Sequence, residues 1–448
     1  MKRLVLPMFL MLAGISAFAQ HNNRSARDLQ FRFGNPGGRS LGFGGAFLAL
    51  ADDATAPVAN PAGMTRTTKR SLAYELNYER RDNEIPFQSG SILQTNLFEF
   101  DYNFTAADAP ESQFQVPYLA VVLPHGNLRY GFFVHQQAKL ERSYTSEPIT
   151  VCHLGSNFYP NCELDERPAS FNPSTDVLDL DIVNAGASLA YGFGDTFSIG
   201  ASLFFSRMDY QADSVILAEQ VLDTVRIEKL ARGEDEDFGG MVGALWRATN
   251  ELSVGVTYKF QPEFVYTATL NSERPLPGTP DNFVQEGTFK IPDSLGIGVS
   301  IAPLENLTIN VDAVRVYYSE VTDELIDFTG VEVNDRVVTQ AMSDITELHV
   351  GMEWVFLNLA YPLSLRLGYW LDPYHAAVNS IEDSQILGGF DPQQPELRDI
   401  FFLHLFEEDE NHYSLGLGWS FGENFQFDAA VEVADQSTNA TVSGIYRF

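Results

Sequence analysis

Phe425-Gln426-Phe427-Asp428-Ala429-Ala430-Val431-Glu432-Val433 alternates between two kinds of side chain. Its odd positions are apolar, and Gln426, Asp428 and Glu432 fall between them. That period of two is the signature of a β-strand with unlike faces. The polar face carries formal charge, which a sealed sandwich core would not tolerate but a wet barrel lumen does. The pattern recurs. His412–Phe421 sets Tyr413, Leu415, Leu417, Trp419 and Phe421 against His412, Ser414, Gly416, Gly418 and Ser420. Leu363–Leu371 sets Leu363, Leu365, Leu367 and Tyr369 against Ser364, Arg366 and Gly368. A strand of ~9–11 residues crosses a bilayer, so one segment proves little and the repetition carries the reading.

Working outward from that segment, strands are expected at 440–448, 425–434, 412–421, 363–371, 345–356, 307–317, 291–301, 251–270, 238–247, 196–210, 177–192, 129–139, 116–123 and 71–80. The expected fold is all-β: a transmembrane antiparallel β-barrel of about fourteen strands occupying residues 71–448. Connections 124–128, 193–195, 248–250, 302–306, 357–362 and 422–424 are short. Those at 81–115, 140–176, 211–237, 271–290, 318–344 and 372–411 are long, which is the alternation of periplasmic turns and external loops in outer-membrane barrels. Ile92–Phe104 also alternates, and counting it gives fifteen strands, or sixteen with another split. Most of the 60 acidic residues fall in the long connections, so the formal charge of -32 belongs mainly to the external face. That favours a solvated, divalent-binding surface over a specific metal site, and it argues against nucleic acid as a partner.

Lys2 and Arg3 precede the apolar run Leu4–Phe18, and Ala17-Phe18-Ala19 offers cleavage before Gln20, so residues 1–19 are expected to be a signal peptide. The run falls short of the ~20 residues a membrane helix needs, and no later stretch reaches that length. The 34 Gly, 34 Phe and 18 Tyr suit turns and aromatic girdles, although a soluble β-rich multidomain chain has similar numbers. The C-terminal Ala440-Thr441-Val442-Ser443-Gly444-Ile445-Tyr446-Arg447-Phe448 resembles the signal read by the barrel insertion machinery. Outer-membrane lipid is then the other expected partner, in a Gram-negative cell. Cys152 and Cys162 are expected to form a disulfide in the external loop 140–176.

No motif for hydrolysis, phosphate binding or zinc ligation is present, so neither an enzyme nor a cofactor is expected. Gly42-Phe43-Gly44-Gly45 reads as a turn. His349 and His412 face the lumen; a Ser/His pair assembled from distant strands stays open beside plain solvation.

The segment Gly45-Ala46-Phe47-Leu48-Ala49-Leu50-Ala51-Asp52-Asp53-Ala54-Thr55-Ala56-Pro57-Val58-Ala59-Asn60-Pro61-Ala62-Gly63-Met64 resembles the N-terminal region of FadL/TodX-type outer-membrane transporters of long-chain fatty acids and aromatic hydrocarbons. Lys290–Gly296, Leu365–Tyr369 with Pro373, and His412–Gly418 extend the likeness in strand order. A related Asn-Pro-Ala-Gly box occurs in lipoprotein-shuttling barrels of a secretion system. The resemblance implies fourteen strands with an N-terminal hatch, here 20–70, inside the lumen. It also implies capture of a hydrophobic ligand at external loops, transfer to an internal pocket, and exit by a side opening or past a shifted hatch. The expected function is passive uptake of long-chain fatty acids or other hydrophobic small molecules. The alternative is a structural or secretion-associated barrel whose loops bind a protein.

Asn60, Pro61 and Ala62 form the hatch motif: Pro fixes φ, Asn can bond its own backbone, and Ala allows close wall contact. Leu217, Val221, Leu222 and Val225, at near-helical spacing, are expected to form a landing groove with Phe401, Phe402 and Leu405, or else to pack on each other at the mouth. Lys259 and Arg366 are turned inward by the alternation. Each could hold an anionic head group, or brace the wall against Glu347, Glu353, Asp428 and Glu432.

Overall fold

A computed structural model describes residues 34–94, 99–145, 149–153, 169–171, 175–220, 223–272, 282–322, 338–375, 378–381 and 409–448. The residues form a closed 14-strand antiparallel barrel. Its strands are β1 (Ser71–Gln94), β2 (Glu99–His125), β3 (Leu128–Thr145), β4 (Thr175–Phe193), β5 (Phe197–Gln220), β6 (Asp223–Arg247) and β7 (Leu252–Phe260 and Glu263–Ser272). They continue as β8 (Asn282–Lys290 and Ser294–Leu304), β9 (Leu307–Val316), β10 (Ile345–Phe356), β11 (Leu363–Asp372), β12 (Glu410–Phe421), β13 (Phe425–Val433) and β14 (Ser437–Arg447). Each pairs with its neighbours in sequence, and β14 returns to β1 from Ser71↔Arg447 to Arg81↔Ser437, which leaves no edge.

The outward face carries the apolar half of each alternation: Leu72, Phe132, Leu189, Leu203, Ile297, Leu367 and Leu415 are all exposed. At the short-turn end the belt becomes aromatic, where Tyr191, Phe193 and Phe197 touch in series and Tyr361, Phe421 and Phe425 do the same. Amphipathic rings at the membrane–water boundary are the expected finish to such a belt.

Several stretches expected to be long connections are strand. Residues 81–94 and 99–115 prolong the β1–β2 hairpin, pairing as far as Leu93↔Glu99, and 211–220 and 223–237 prolong the β5–β6 hairpin. Residues 92–94 and 99–104 therefore belong to the two arms of one hairpin and add no strand. Beyond the membrane neither face meets lipid, so the apolar half of the alternation disappears while the backbone ladder continues. Residues 149–153 add a short parallel strip to β1, and 338–341 pairs with 378–381.

Three strands slip phase by one residue as they rise. In β7 the inward residues are Gly255, Thr257 and Lys259 up to the break at Gln261-Pro262, and Phe264, Tyr266 and Ala268 above it. In β8 the break at Ile291-Pro292-Asp293 separates inward Gly287 and Phe289 from inward Ser294, Gly296 and Gly298. β3 carries a bulge between Gln136 and Ala138. Proline cannot donate to the ladder, so a strand broken there can resume with the opposite face inward.

Candidate functional site

Residues 34–66 lie inside the barrel, because their bonds reach inward-facing groups all round the wall. The Gly37 N–H donates to Glu75 Oε2 of β1 at 2.8 Å, and Gly38 N–H donates to Ser443 Oγ of β14 at 2.9 Å. Phe47 and Leu48 N–H both donate to Asp312 Oδ2 of β9, at 2.6 and 2.8 Å. Ser202 Oγ of β5 donates to Pro57 O at 2.7 Å, and Tyr118 OH of β2 donates to Ala54 O at 2.9 Å. The segment holds α1 (Gly38–Gly42), α2 (Ala56–Ala59) and a 3₁₀ turn (Pro61–Arg66).

Inward glycines make room for it. A Cβ on Gly368 would lie 2.1 Å from Gly44 N, one on Gly351 2.3 Å from Phe43 O, and one on Gly255 2.3 Å from Leu48 O. Gly200 and Gly243 do the same for Pro61 and Asn60. The alternation had already placed Gly368 and Gly416 on the lumen face. What they face there, the backbone of a segment far away in sequence, has no periodic signature.

Asn60 is fully buried and joins three elements. Its Oδ1 accepts from Ala62 N–H at 3.1 Å, capping the 3₁₀ turn. Its Nδ2 donates to Leu48 O at 2.8 Å and to Ala244 O of β6 at 3.3 Å. Pro61 opens the turn, where a missing N–H costs nothing, and Ser198 Oγ holds Ala62 O at 3.1 Å. The motif thus works as a turn and as an anchor to the wall.

The two inward cations have different surroundings. Arg366 is 2 % exposed and sits between Asp428 at 2.7 Å and Glu353 at 3.1 Å. Glu353 also meets Arg39 of α1 at 3.8 Å, and Arg39 is bonded to Asp52. Arg366 therefore belongs to a buried network that fastens the segment to β10, β11 and β13. Lys259 stands apart: it is half-buried, makes no ion pair among the described residues, and lines a cavity of about 30 Å³ with Phe133, His135, Phe204 and Gln261.

His349 and His412 are buried and committed to neighbours. The His349 ring meets Gly44 O at 2.7 Å and Glu347 at 3.2 Å, while His412 lies 3.3 Å from Glu432 and 3.4 Å from Glu410. Both stack on Trp370, with His412 3.8 Å from it. Asp372, Glu410 and His412 bring ligand-type atoms within 4.8 Å of one another, chemistry suited to a divalent cation that the sequence reading did not single out.

Above the segment the inward surface turns apolar. Leu180, Ile182, Met208, Phe264, Phe289 and Tyr318 are all at most 1 % exposed and form one cluster. Tyr210 stacks on Phe289 at 6.1 Å and meets Tyr266 edge-on at 5.7 Å. Periodicity missed part of this lining: the phase slip in β7 carries Phe264 and Tyr266 from the expected outer face to the inner one, and Phe289 and Tyr318 fall in stretches expected to be connections.

Beside the cluster the wall parts. β2 and β3 pair only from Tyr118↔His135 to His125↔Leu128, although each stays paired with its other neighbour. Past that point side chains replace the ladder: Gln113 Nε2 donates to Lys139 O at 2.8 Å, and Glu141 N–H donates to Glu111 Oε1 at 2.9 Å. A cavity of about 160 Å³ leads from Gly34 and Gly37 past Glu75 and Asn77 to Gln137 at this parting. Outside it Phe114 and Val116 are 68 % and 64 % exposed, an apolar lip.

Of the expected landing groove, the backbone is described at Leu217 and Val225, where it is strand rather than helix. Leu217 and Val225 lie on the β5–β6 ladder, with Leu217↔Arg226 and Ala218↔Val225, so they hold alternate positions in it. Val221, Leu222, Phe401, Phe402 and Leu405 lie outside the described residues, as do Cys162 and the signal segment, and the side chain of Cys152 is not described.

No curated protein matches the sequence. Among solved structures the chain is similar to the toluene transporter TbuX of Ralstonia pickettii, at 16% identity and a TM-score of 0.57, over 93% of this chain and 99% of that one. It is similar to a FadL homologue of Pseudomonas aeruginosa at 14% identity and 0.59, over 90% and 96%. It is also similar to the toluene transporter TodX of P. putida at 14% identity and 0.55, over 93% and 99%. Residues 30–381 match the family of outer membrane transport proteins described as OMPP1/FadL/TodX. A closed barrel, an interior segment bearing Asn60-Pro61-Ala62 and a match over most of the sequence agree: the chain belongs to this family of outer-membrane transport channels of Gram-negative cells.

Proposed function

We propose that the protein is a passive uptake channel for hydrophobic small molecules, long-chain fatty acids or aromatic hydrocarbons, without covalent chemistry. The observation that carries this reading is the apolar lining of the outer lumen, led by Phe264 and Phe289, directly above a filled floor. Burying one aromatic ring's worth of ligand there is worth about 1.5–3 kcal/mol, so a few contacts suffice for capture. Residues 34–66 act as the hatch. They block a straight path, and the parting between β2 and β3 is the side exit that spares the ligand from crossing them. Lys259 is the cation that reads a carboxylate head, since Arg366 already serves two carboxylates.

The test uses the full protein in detergent and measures binding of oleate, oleyl alcohol and toluene. Replacing Phe264 and Phe289 together with Ser is expected to weaken all three about tenfold or more. Unchanged binding of all three by a folded variant would remove the outer lumen as the capture site.

A further inference from the structure

At the opposite end of the barrel, beneath the 3₁₀ turn, lies a cavity of about 150 Å³ that the transport reading does not use. The short turns at 126–127 and 194–195 border it, which places it on the periplasmic side. Three guanidiniums line it: Arg66 from the 3₁₀ turn, Arg129 from β3 and Arg247 from β6. In a chain of formal charge -32 that convergence is unusual, and what the three arginines bond to is more so.

Arg66 donates from Nη1 to Leu50 O at 3.0 Å and from Nη2 to Ser253 Oγ at 2.7 Å. Arg129 donates from Nε to Thr67 O at 2.6 Å, and from Nη1 to Gly126 O and Leu128 O at 2.7 and 2.9 Å. Every acceptor is neutral. These bonds fix the position of the two side chains without neutralising them, and the carboxylate whose charge acts on Arg66, that of Asp52, is already bonded to Arg39. Arg247 makes no side-chain hydrogen bond or ion pair among the described residues. The one acid on the lining, Asp195, is ion-paired with none of the three. Like charges gathered with only a shared counter-charge, Asp52, repel, and an oxyanion is what relieves them. The planar fork of a guanidinium suits carboxylate and phosphate oxygens.

We propose that Arg66, Arg129 and Arg247 form a periplasm-facing site for a small oxyanion, a carboxylate or a phosphate, that ties the base of the interior segment to two wall strands. Arg66 follows Asn60-Pro61-Ala62 in the same turn, and Ser198, which holds Ala62 O, also lines the cavity. A bound oxyanion therefore bridges the segment to β3 and β6 where Asn60 already anchors it to β6. The proposal does not depend on which ligand the barrel carries.

Calorimetry on the full-length protein in detergent tests it, with inorganic phosphate, hexanoate and hexanol as probes. Saturable binding of phosphate or hexanoate is expected, weakened about tenfold in Arg247→Gln. Hexanol binding is expected to be the same in both proteins, which separates this site from the apolar lumen. Hexanoate binding that phosphate cannot displace identifies an aliphatic acid as the source, and displacement identifies a general oxyanion site that free phosphate fills. If Arg247→Gln fails to fold, Arg247→Lys retains the charge without the fork and is expected to bind more weakly than the native protein. Equal affinity in the native protein and either folded variant, or no binding of either anion, would overturn the proposal.

Discussion

Around Arg366 the lumen is filled by buried ion pairs and by backbone seated on glycine, whereas around Phe289 it is filled by rings that need only one another. The first region fixes one arrangement: Asp428, Glu353 and Arg39 each have a stated partner, and Gly368 leaves no space for another atom. The second region is held by contacts without direction, which a ligand of the same chemistry can replace. One barrel is thus rigid at the floor and exchangeable at the mouth, with β7 and β10 running through both.

The strongest way to break that contrast is Arg366→Met, which strands Asp428 as a buried charge and leaves Glu353 only Arg39. The expected cost is about 3–5 kcal/mol, read as a lower urea midpoint of unfolding. Gly368→Val attacks the same floor sterically and should cost about 1–3 kcal/mol, with a rise in ion conductance across a planar bilayer as the segment lifts. Pro262→Thr, which restores the missing ladder donor, tests the mouth alone. At unchanged chain length it lets β7 run on without the phase slip, turns Phe264 and Tyr266 outward, and should lower affinity for apolar ligands about tenfold while conductance stays low. The smallest effect belongs to Lys259→Met, expected to weaken binding of oleate several-fold and of oleyl alcohol hardly at all. Equal losses for acid and alcohol would show that Lys259 does not read the head group.

Much of the floor was legible in the sequence. Asp428 and Glu432 on the polar face of the opening stretch, and Arg366 on another, announced an inward network by period alone. Asn60-Pro61-Ala62 was recognised by resemblance, and its local turn chemistry was foreseeable. The wall contact of Asn60 Nδ2 with Ala244 was not, because no local rule joins residues so far apart. The mouth was hidden for a different reason. Pro262 and Pro292 fall inside the expected strands 251–270 and 291–301, and reading 251–270 as one strand kept the wrong face inward above Lys259. The upper arms of the hairpins were hidden as well, since strands standing in water lose the pattern by which membrane strands are found.

The length of β5 carries a consequence for selection. Its 24 residues, at ~3.3 Å each and a tilt of ~40°, rise ~60 Å along the barrel axis against an apolar band of ~25 Å. The hairpin it forms with β6 therefore stands ~35 Å clear of the hydrocarbon, and its flank carries the run Glu234-Asp235-Glu236-Asp237. Such a mast presents a repulsive field to any anion approaching within the screening length of ~10 Å at 0.1 M salt, and none to a neutral molecule. An ionised fatty acid should thus arrive more slowly than a hydrocarbon of equal affinity and gain speed as ionic strength rises. The barrel then discriminates by encounter rate before any side chain of the lumen is touched.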